Sequence, residues 1–402
     1  MNESFRAVKI SERVHWVGAI DYGIRDFHGY NITRGTTYNA FLISGSKPIL
    51  IDTVKEEFFD EMVARISSVM NPRDISYIIS NHAEMDHSGA LLRAVNLIQP
   101  EQVLASTMGV VALKAHFHNQ IVVTEVNHNE PFVLGDANFK CIESRMLHWP
   151  DSMFTYFAND QVLFSQDSFG MHLATSKLFS DQNDRHILRH EAMKYFANIL
   201  LPYANFVTRL LEMWPTFELD IKMLAPDHGP IWRGAGDIVW IMNLWHSWAK
   251  RENTDRVIVC YDTMWGSTAR MAAAIADGIM ESQLPVKVMP LSNCHRSEIV
   301  AELLEAGALI IGSPTINNQM FPTVADLLCY IRGLKVKNLI GQVFGSFGWS
   351  GEAVDNIRNE LTQMQIRFVN APVKMRYVPD AECLAHCRDV GLKIAGAMRS
   401  KE

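Results

Sequence analysis

Apolar residues in the first part of the chain come in short runs, too brief for helices and separated by polar turns: Thr37-Tyr38-Asn39-Ala40-Phe41-Leu42-Ile43, Pro48-Ile49-Leu50-Ile51-Asp52 and Ile75-Ser76-Tyr77-Ile78-Ile79. Such runs predict strands. Leu91, Leu92, Val95 and Ile98 then recur with the period of a helix that buries one face. This region reads as mixed α/β, its sheets covered by helices. Beyond the polar stretch Lys250-Arg251-Glu252-Asn253-Thr254-Asp255 the alternation becomes more regular. Val257-Ile258-Val259-Cys260-Tyr261 predicts a strand, Met271, Ile275 and Ile279 one face of a helix, and Val286-Lys287-Val288 another strand. A helix near 298–305, strands at 308–311 and 340–344, and a helix over 352–363 continue the series. Five strands alternating with helices in roughly 150 residues predict a doubly wound parallel sheet, because each crossover helix needs a parallel strand to return to. Charge-rich, apolar-poor segments are where domain boundaries fall, so the junction is expected near residue 253, giving domains 1–252 and 253–402.

The length agrees, since 402 residues exceed what one core usually serves and suit two domains of roughly 150 to 250 residues. No apolar run approaches the roughly 18 residues of a membrane span, so no membrane association is expected. The opening Met1-Asn2-Glu3-Ser4-Phe5-Arg6 lacks the basic and apolar regions of a secretion signal, which predicts a cytoplasmic protein. Six cysteines without framework spacing fit free thiols in a reducing compartment. Only Cys383 and Cys387 are close, spaced i, i+4, and one buried helix face explains them more simply than a redox pair. A net charge of −7 argues against phosphate backbones as partners, so no nucleic acid is expected.

The densest chemistry follows the strand at 77–79, where Asn81-His82-Ala83-Glu84-Met85-Asp86-His87 sets four potential metal ligands in six positions at a strand-to-helix junction. Imidazole and carboxylate together suit a borderline or hard divalent metal. This heptad resembles the metallo-β-lactamase superfamily signature, whose usual form has His at the position of Glu84. The anionic oxygen adds charge and hardness, which favours iron in a redox role over a hydrolytic zinc pair. Within that superfamily the Glu-containing form is similar to the flavodiiron proteins. The resemblance implies three further ligands at strand ends, and His148 (Leu147-His148-Trp149-Pro150-Asp151), Asp167 (after Val162-Leu163-Phe164-Ser165-Gln166) and His228 (Pro226-Asp227-His228-Gly229) follow in order. By that resemblance His82, Glu84 and His148 hold one iron, Asp86, His87 and His228 the other, and Asp167 bridges them. Asp52 matches a position that in this superfamily orients a ligand through a hydrogen bond, and it reads equally as a simple turn residue; His28, His172 and Tyr195 are expected to line the pocket, where a proton donor serves oxygen chemistry. The pairs His186/His190 and His116/His118 read as solvated helix faces.

In the second domain the first strand leads into Thr263-Met264-Trp265-Gly266-Ser267-Thr268 and a helix. Unpaired N–H groups, the helix dipole and hydroxyls suit a phosphate there, and the absence of Lys favours a monophosphate such as FMN over a nucleotide triphosphate. Two further loops, Gly312-Ser313-Pro314-Thr315-Ile316-Asn317-Asn318 and Gly345-Ser346-Phe347-Gly348-Trp349-Ser350-Gly351, follow later strands. Both stand at carboxyl ends of parallel strands, where open sheets bind ligands, and Trp349 or Trp265 can stack on a flavin ring. Together the three loops resemble the FMN-binding loops of flavodoxins.

Ligand order and domain order together resemble a flavodiiron protein over essentially the whole chain. That resemblance implies an α/β protein, a metallo-β-lactamase-like αββα sandwich followed by a flavodoxin-like doubly wound parallel sheet, carrying two non-haem irons and FMN. It implies reduction of dioxygen to water, or of nitric oxide to nitrous oxide, and a head-to-tail homodimer or a dimer of dimers. No CxxC pairs of a fused rubredoxin follow before Glu402, so a separate rubredoxin is the expected electron donor. A zinc hydrolase with a regulatory flavodoxin module and an electron-transfer flavoprotein with an empty first domain are the rival readings; the complete ligand set argues against the second.

Overall fold

The computed structural model describes residues 5–252 and 254–400; residue 253, at the expected junction, and the terminal residues 1–4 and 401–402 lie outside the described residues. The chain divides into two compact units. The first runs to Ala249 except for Phe196–Pro202, and the second holds Phe196–Pro202 together with the chain from Lys250 onward. That short insertion has a physical cause within the second unit: Asn198 donates through Nδ2 to the Ser297 carbonyl (3.2 Å) and accepts from the Tyr330 hydroxyl (2.8 Å).

Two sheets pack face to face in the first unit. One runs in the order Val8–Lys9, Val14–Trp16, Phe41–Ile43, Ile49–Ile51, Tyr77–Ser80, Gln102–Ala105, Val123–Glu125; the other in the order Pro131–Leu134, Ala137–Glu143, Met153–Phe157, Val162–Phe164, Met223–Ala225, Trp232–Arg233. Side-chain alternation builds the layers. Phe41, Ile43, Ile49 and Ile51 point between the sheets, where they meet Phe139, Phe157 and Phe164. Leu42 and Leu50 point the other way, under Met62, Ile66, Leu91 and Leu113 of the covering helices. On the far side Phe169 packs against Trp245 of the helix Ala235–Lys250, with ring centroids 4.6 Å apart. This is the αββα sandwich.

The run 37–43, expected as one strand, is two: Thr36–Tyr38 and Phe41–Ile43. Asn39 breaks it because its side chain donates to the carbonyls of Pro226 (2.7 Å) and Gly229 (2.9 Å), clamping the loop that carries His228.

In the second unit the strands Val286–Pro290, Arg256–Tyr261, Ala306–Gly312, Ile340–Phe347 and Arg367–Phe368 lie in that order, all parallel, the 2-1-3-4-5 arrangement of flavodoxins. The fifth position is shared, since Val373–Arg376 also pairs with Ile340–Phe347. The helix expected at 298–305 is Arg296–Leu303, and the helix over 352–363 forms with those bounds. Cys387 lies buried on the helix Ala381–Arg399, in the core formed with Ile275 and Ile279. That helix crosses Ser267–Glu281 so closely that a Cβ on Gly278 would stand 2.0 Å from the Arg388 carbonyl oxygen. Among the described residues no helix is long and apolar enough to cross a membrane.

Candidate metal centre and flavin cleft

The strand Tyr77–Ser80 ends where Asn81 to Glu84 lead into the single helical turn Met85–Ser88. Asp52, in the left-handed region at φ 54°, grips this junction. It accepts from the Asn81 backbone N–H (2.6 Å) and from Asn81 Nδ2 (2.7 Å). Asp52 therefore fixes the residue before His82 and not a metal-binding side chain itself. Past Asn81, extended backbone sends His82 and Glu84 to one point, and the helical turn sends Asp86 and His87 to another.

Two groups of donor atoms result: His82, Glu84, His148 and Asp167, and beside them Asp86, His87 and His228. In the first, Glu84 Oε2 lies 3.3 Å from His82 Nε2 and 3.1 Å from His148 Nε2. In the second, Asp86 Oδ2 lies 3.2 Å from His87 Nε2 and 3.0 Å from His228 Nε2. Asp167 divides its oxygens between them: Oδ2 faces His148 (3.2 Å) and His82 (3.5 Å), Oδ1 faces His87 (3.0 Å) and His228 (3.5 Å). Ligands about 2.1 Å from a common ion lie roughly 3.0 to 3.4 Å apart at right to tetrahedral angles, so these spacings fit a cation in each group. Asp167 and His228 follow close on strand ends, but His148 sits in mid-loop, between Ala137–Glu143 and Met153–Phe157.

Two of the four histidines are held with one ring nitrogen facing the cluster. The carbonyl of Thr37 accepts from His228 Nδ1 (2.5 Å), and Asp151 Oδ2 lies 3.1 Å from His82 Nδ1. Both partners accept, so Nδ1 carries the hydrogen and Nε2 presents its lone pair to the cluster. Both Asp86 oxygens, Asp167 Oδ1 and the Nε2 atoms of His87 and His228 are buried without a hydrogen-bond partner. Lone pairs facing lone pairs in a buried site require positive charge between them. Protons alone answer that demand by strained means: burial lowers the His87 pKa, yet the carboxylates of Asp86, Asp167 and Asp227 overcome it and push it up to about 10. Burial likewise raises the Asp167 pKa, but His87 and His148 hold it well below the usual carboxylate range. Four imidazoles and three carboxylates, with no thiolate, make a donor set for iron, manganese or zinc.

His28, His172 and Tyr195 do gather at this cluster. His28 Nε2 lies 2.8 Å from Glu84 Oε1. His172 pairs through Nδ1 with Thr36 Oγ1 (2.8 Å), and its ring contacts those of His228 (centroids 4.6 Å apart) and Tyr195 (5.0 Å). Burial, with His228 and His28 nearby, holds the His172 pKa well below its usual value, so its ring is neutral. The Tyr195 hydroxyl is buried without a hydrogen-bond partner. His116, His118, His186 and His190 join neither group. Sequence reasoning assigned no role to Asp151, Asp227 or Thr37, whose signal exists only once distant loops meet.

In the second unit a cleft of about 370 Å³ opens at the carboxyl ends of the strands. Met264, Trp265 and Ser267, then the run Pro314 to Asn318, then Ser346 to Ser350 line it, one segment from each predicted loop. Five predicted residues shape the loops from behind. Thr263 Oγ1 accepts from the N–H of Gly266, whose φ of 84° turns the chain into the helix. Thr268 Oγ1 meets Ser346 Oγ (3.1 Å), Ser313 Oγ accepts from the Phe321 N–H (2.9 Å), and Gly351 precedes the helix Glu352–Gln363. Trp265 and Trp349 are 87% and 86% exposed. The sequence reading missed Tyr377, brought to the rim when its N–H donates to the Phe347 carbonyl (2.7 Å).

Fold and site define a protein class: a metallo-β-lactamase-like sandwich bearing a paired His/carboxylate centre, joined to a flavodoxin-like module. A family model described as ODP family beta lactamase matches residues 36–229, and one described as flavodoxin matches residues 259–391. The chain is 41% identical to the rubredoxin-oxygen oxidoreductase of Megalodesulfovibrio gigas, over 98% of this chain and 99% of that one. It is 40% identical to the nitric oxide reductase of Moorella thermoacetica, over 96% and 98% of the two chains. Among solved structures it is similar to the rubredoxin oxygen:oxidoreductase of Desulfovibrio gigas (TM-score 0.95, 40% identity, 98% of this chain and 99% of that one). The flavodiiron protein of Giardia intestinalis is also similar (TM-score 0.94, 30% identity, 98% and 97%). The chain belongs to the flavodiiron protein family and is an oxidoreductase.

Proposed function

We propose that the chain reduces dioxygen to water, with His82, Glu84 and His148 holding one iron, Asp86, His87 and His228 the second, and Asp167 bridging. FMN occupies the cleft between the three loops, the domain boundary falls at 252/253, and rubredoxin supplies the electrons. The observation that carries this reading is Asp167, whose two oxygens each face a different pair of imidazole nitrogens. When bound, a flavin hydroquinone and two ferrous ions hold between them the four electrons that dioxygen needs to become water.

The chain's own groups orient and protonate. Thr37 and Asp151 set two imidazoles with Nε2 inward. His28, its side chain 21% exposed and its Nε2 beside Glu84 Oε1, is placed to carry protons from solvent. Tyr195, with a hydroxyl free of hydrogen bonds, is a donor to substrate in the buried pocket. Reduction of two nitric oxide molecules to nitrous oxide and water is the second reading, favoured by the near-equal identity to a relative named nitric oxide reductase. We read the protein as cytoplasmic and as a head-to-tail homodimer or dimer of dimers, which brings one chain's flavin beside the other chain's irons.

Metal and flavin analysis of the purified protein tests the site, with two irons and one FMN per chain expected; two zincs would overturn the redox reading. Anaerobic reduction followed by stopped-flow mixing with dioxygen or nitric oxide decides the substrate, the preferred one reoxidising flavin and iron faster.

A further inference from the structure

We infer that Asp151 is a positioning residue that orients His82 and thereby sets the iron affinity of one of the two subsites. The inference rests on the two-iron reading above. The turn that delivers His148 also delivers Asp151, which is 3% exposed. A single oxygen, Oδ2, accepts from the Ala83 N–H (2.6 Å) and lies 3.1 Å from His82 Nδ1. It therefore fixes both the backbone behind the ring and the ring's tautomer. Its main chain is anchored in turn, Ser106 Oγ donating to the Asp151 carbonyl at 2.6 Å. The other oxygen, Oδ1, is buried with no hydrogen-bond partner, a cost that a purely space-filling residue would not carry.

The neighbouring subsite has only a looser counterpart, a carboxylate behind its ring without hydrogen-bond geometry. His87 Nδ1 stands 3.5 Å from Asp227 Oδ2, and none of these atoms forms a hydrogen bond. His228 leans on an uncharged carbonyl. A carboxylate behind an imidazole raises its basicity as a ligand, and removing such a partner costs roughly 10- to 100-fold in metal affinity. One loop thus supplies a ligand, His148, and the support of that ligand's companion, His82. The asymmetry predicts that loss of Asp151 weakens one iron and spares the other.

The test titrates ferrous iron anaerobically into the metal-free, FMN-loaded full chain, followed by Mössbauer spectroscopy of the iron-57 form. Asp151→Asn keeps the size and leaves one oxygen to accept from Ala83 and His82, but removes the charge that makes the ring a stronger ligand; it should weaken one binding step roughly 10- to 100-fold, alter one of two iron signals and leave the other step unchanged. Ser106→Ala frees the main chain of that turn while keeping the carboxylate, and should weaken the same step by less than Asp151→Asn does. Two wild-type steps in Asp151→Asn, equal weakening of both, or an equal effect of Ser106→Ala would each overturn the inference. A wild-type chain that takes up fewer than two irons would instead overturn the two-iron reading, and this inference with it.

Discussion

Replacing Asp167 with Ala removes the one side chain shared by both donor groups. Its carboxylate stands 3.0 to 3.5 Å from four imidazole nitrogens, is 1% exposed, and has no competing contact with solvent. Removing one partner from a buried charge pair costs about 3 to 5 kcal/mol, which corresponds to roughly a hundred- to several-thousand-fold in affinity. Because each oxygen serves a different group, the loss falls on both metals. The flavin cleft is built from other loops in the other unit, so FMN content should stay near one per chain. Metal analysis, flavin absorbance and consumption of dioxygen and nitric oxide on one preparation make the assay. The expected outcome is a yellow protein with little iron and no turnover. A variant retaining two irons and wild-type turnover would refute the bridging assignment.

Trp349→Ala removes an aromatic face at the cleft, worth about 0.5 to 1.5 kcal/mol; fluorescence titration with FMN should report affinity lowered roughly two- to tenfold, and an unchanged value would exclude stacking. Gly278→Ala drives a methyl group into the Arg388 carbonyl, so urea unfolding should report a loss of about 1 to 3 kcal/mol. In the metal-free protein burial pushes the Asp52 pKa from 3.8 up to about 6, despite hydrogen bonds from Asn81. A raised folded-state pKa means that stability is fully present below pH 3.8 and is lost as pH rises through 6, by at most about 3 kcal/mol. Urea unfolding of metal-free Asp52→Asn should therefore show a shallower decline between pH 4 and 7 than the wild type, and parallel curves would count against it.

Much of the fold was legible because periodicity survives translation into structure. Ile49-Leu50-Ile51 is buried on both faces, Ile49 and Ile51 between the sheets and Leu50 beneath the helices, as a continuous apolar run predicts. The helix Leu91–Ile98 follows its apolar stripe. Boundaries were less legible where a side chain is recruited from far away. Asn39 interrupts a plausible strand because it bonds to carbonyls at positions 226 and 229, and the segment Phe196–Pro202 leaves its neighbours because Asn198 is bonded at positions 297 and 330.

The chain by itself determined the donor inventory: four histidines and three carboxylates in order, with Glu84 giving the site its hard, anionic character, and three loops able to surround a flavin. Those properties belong to residue identity and short spacing, which local backbone geometry preserves. Only the tertiary structure decided how the donors divide into two groups, that Asp167 spans them, and that Asp151, Thr37 and Asp52 act from behind. Each of those relations depends on distances between loops remote in sequence, and these are set by how the two sheets pack and where their strands end.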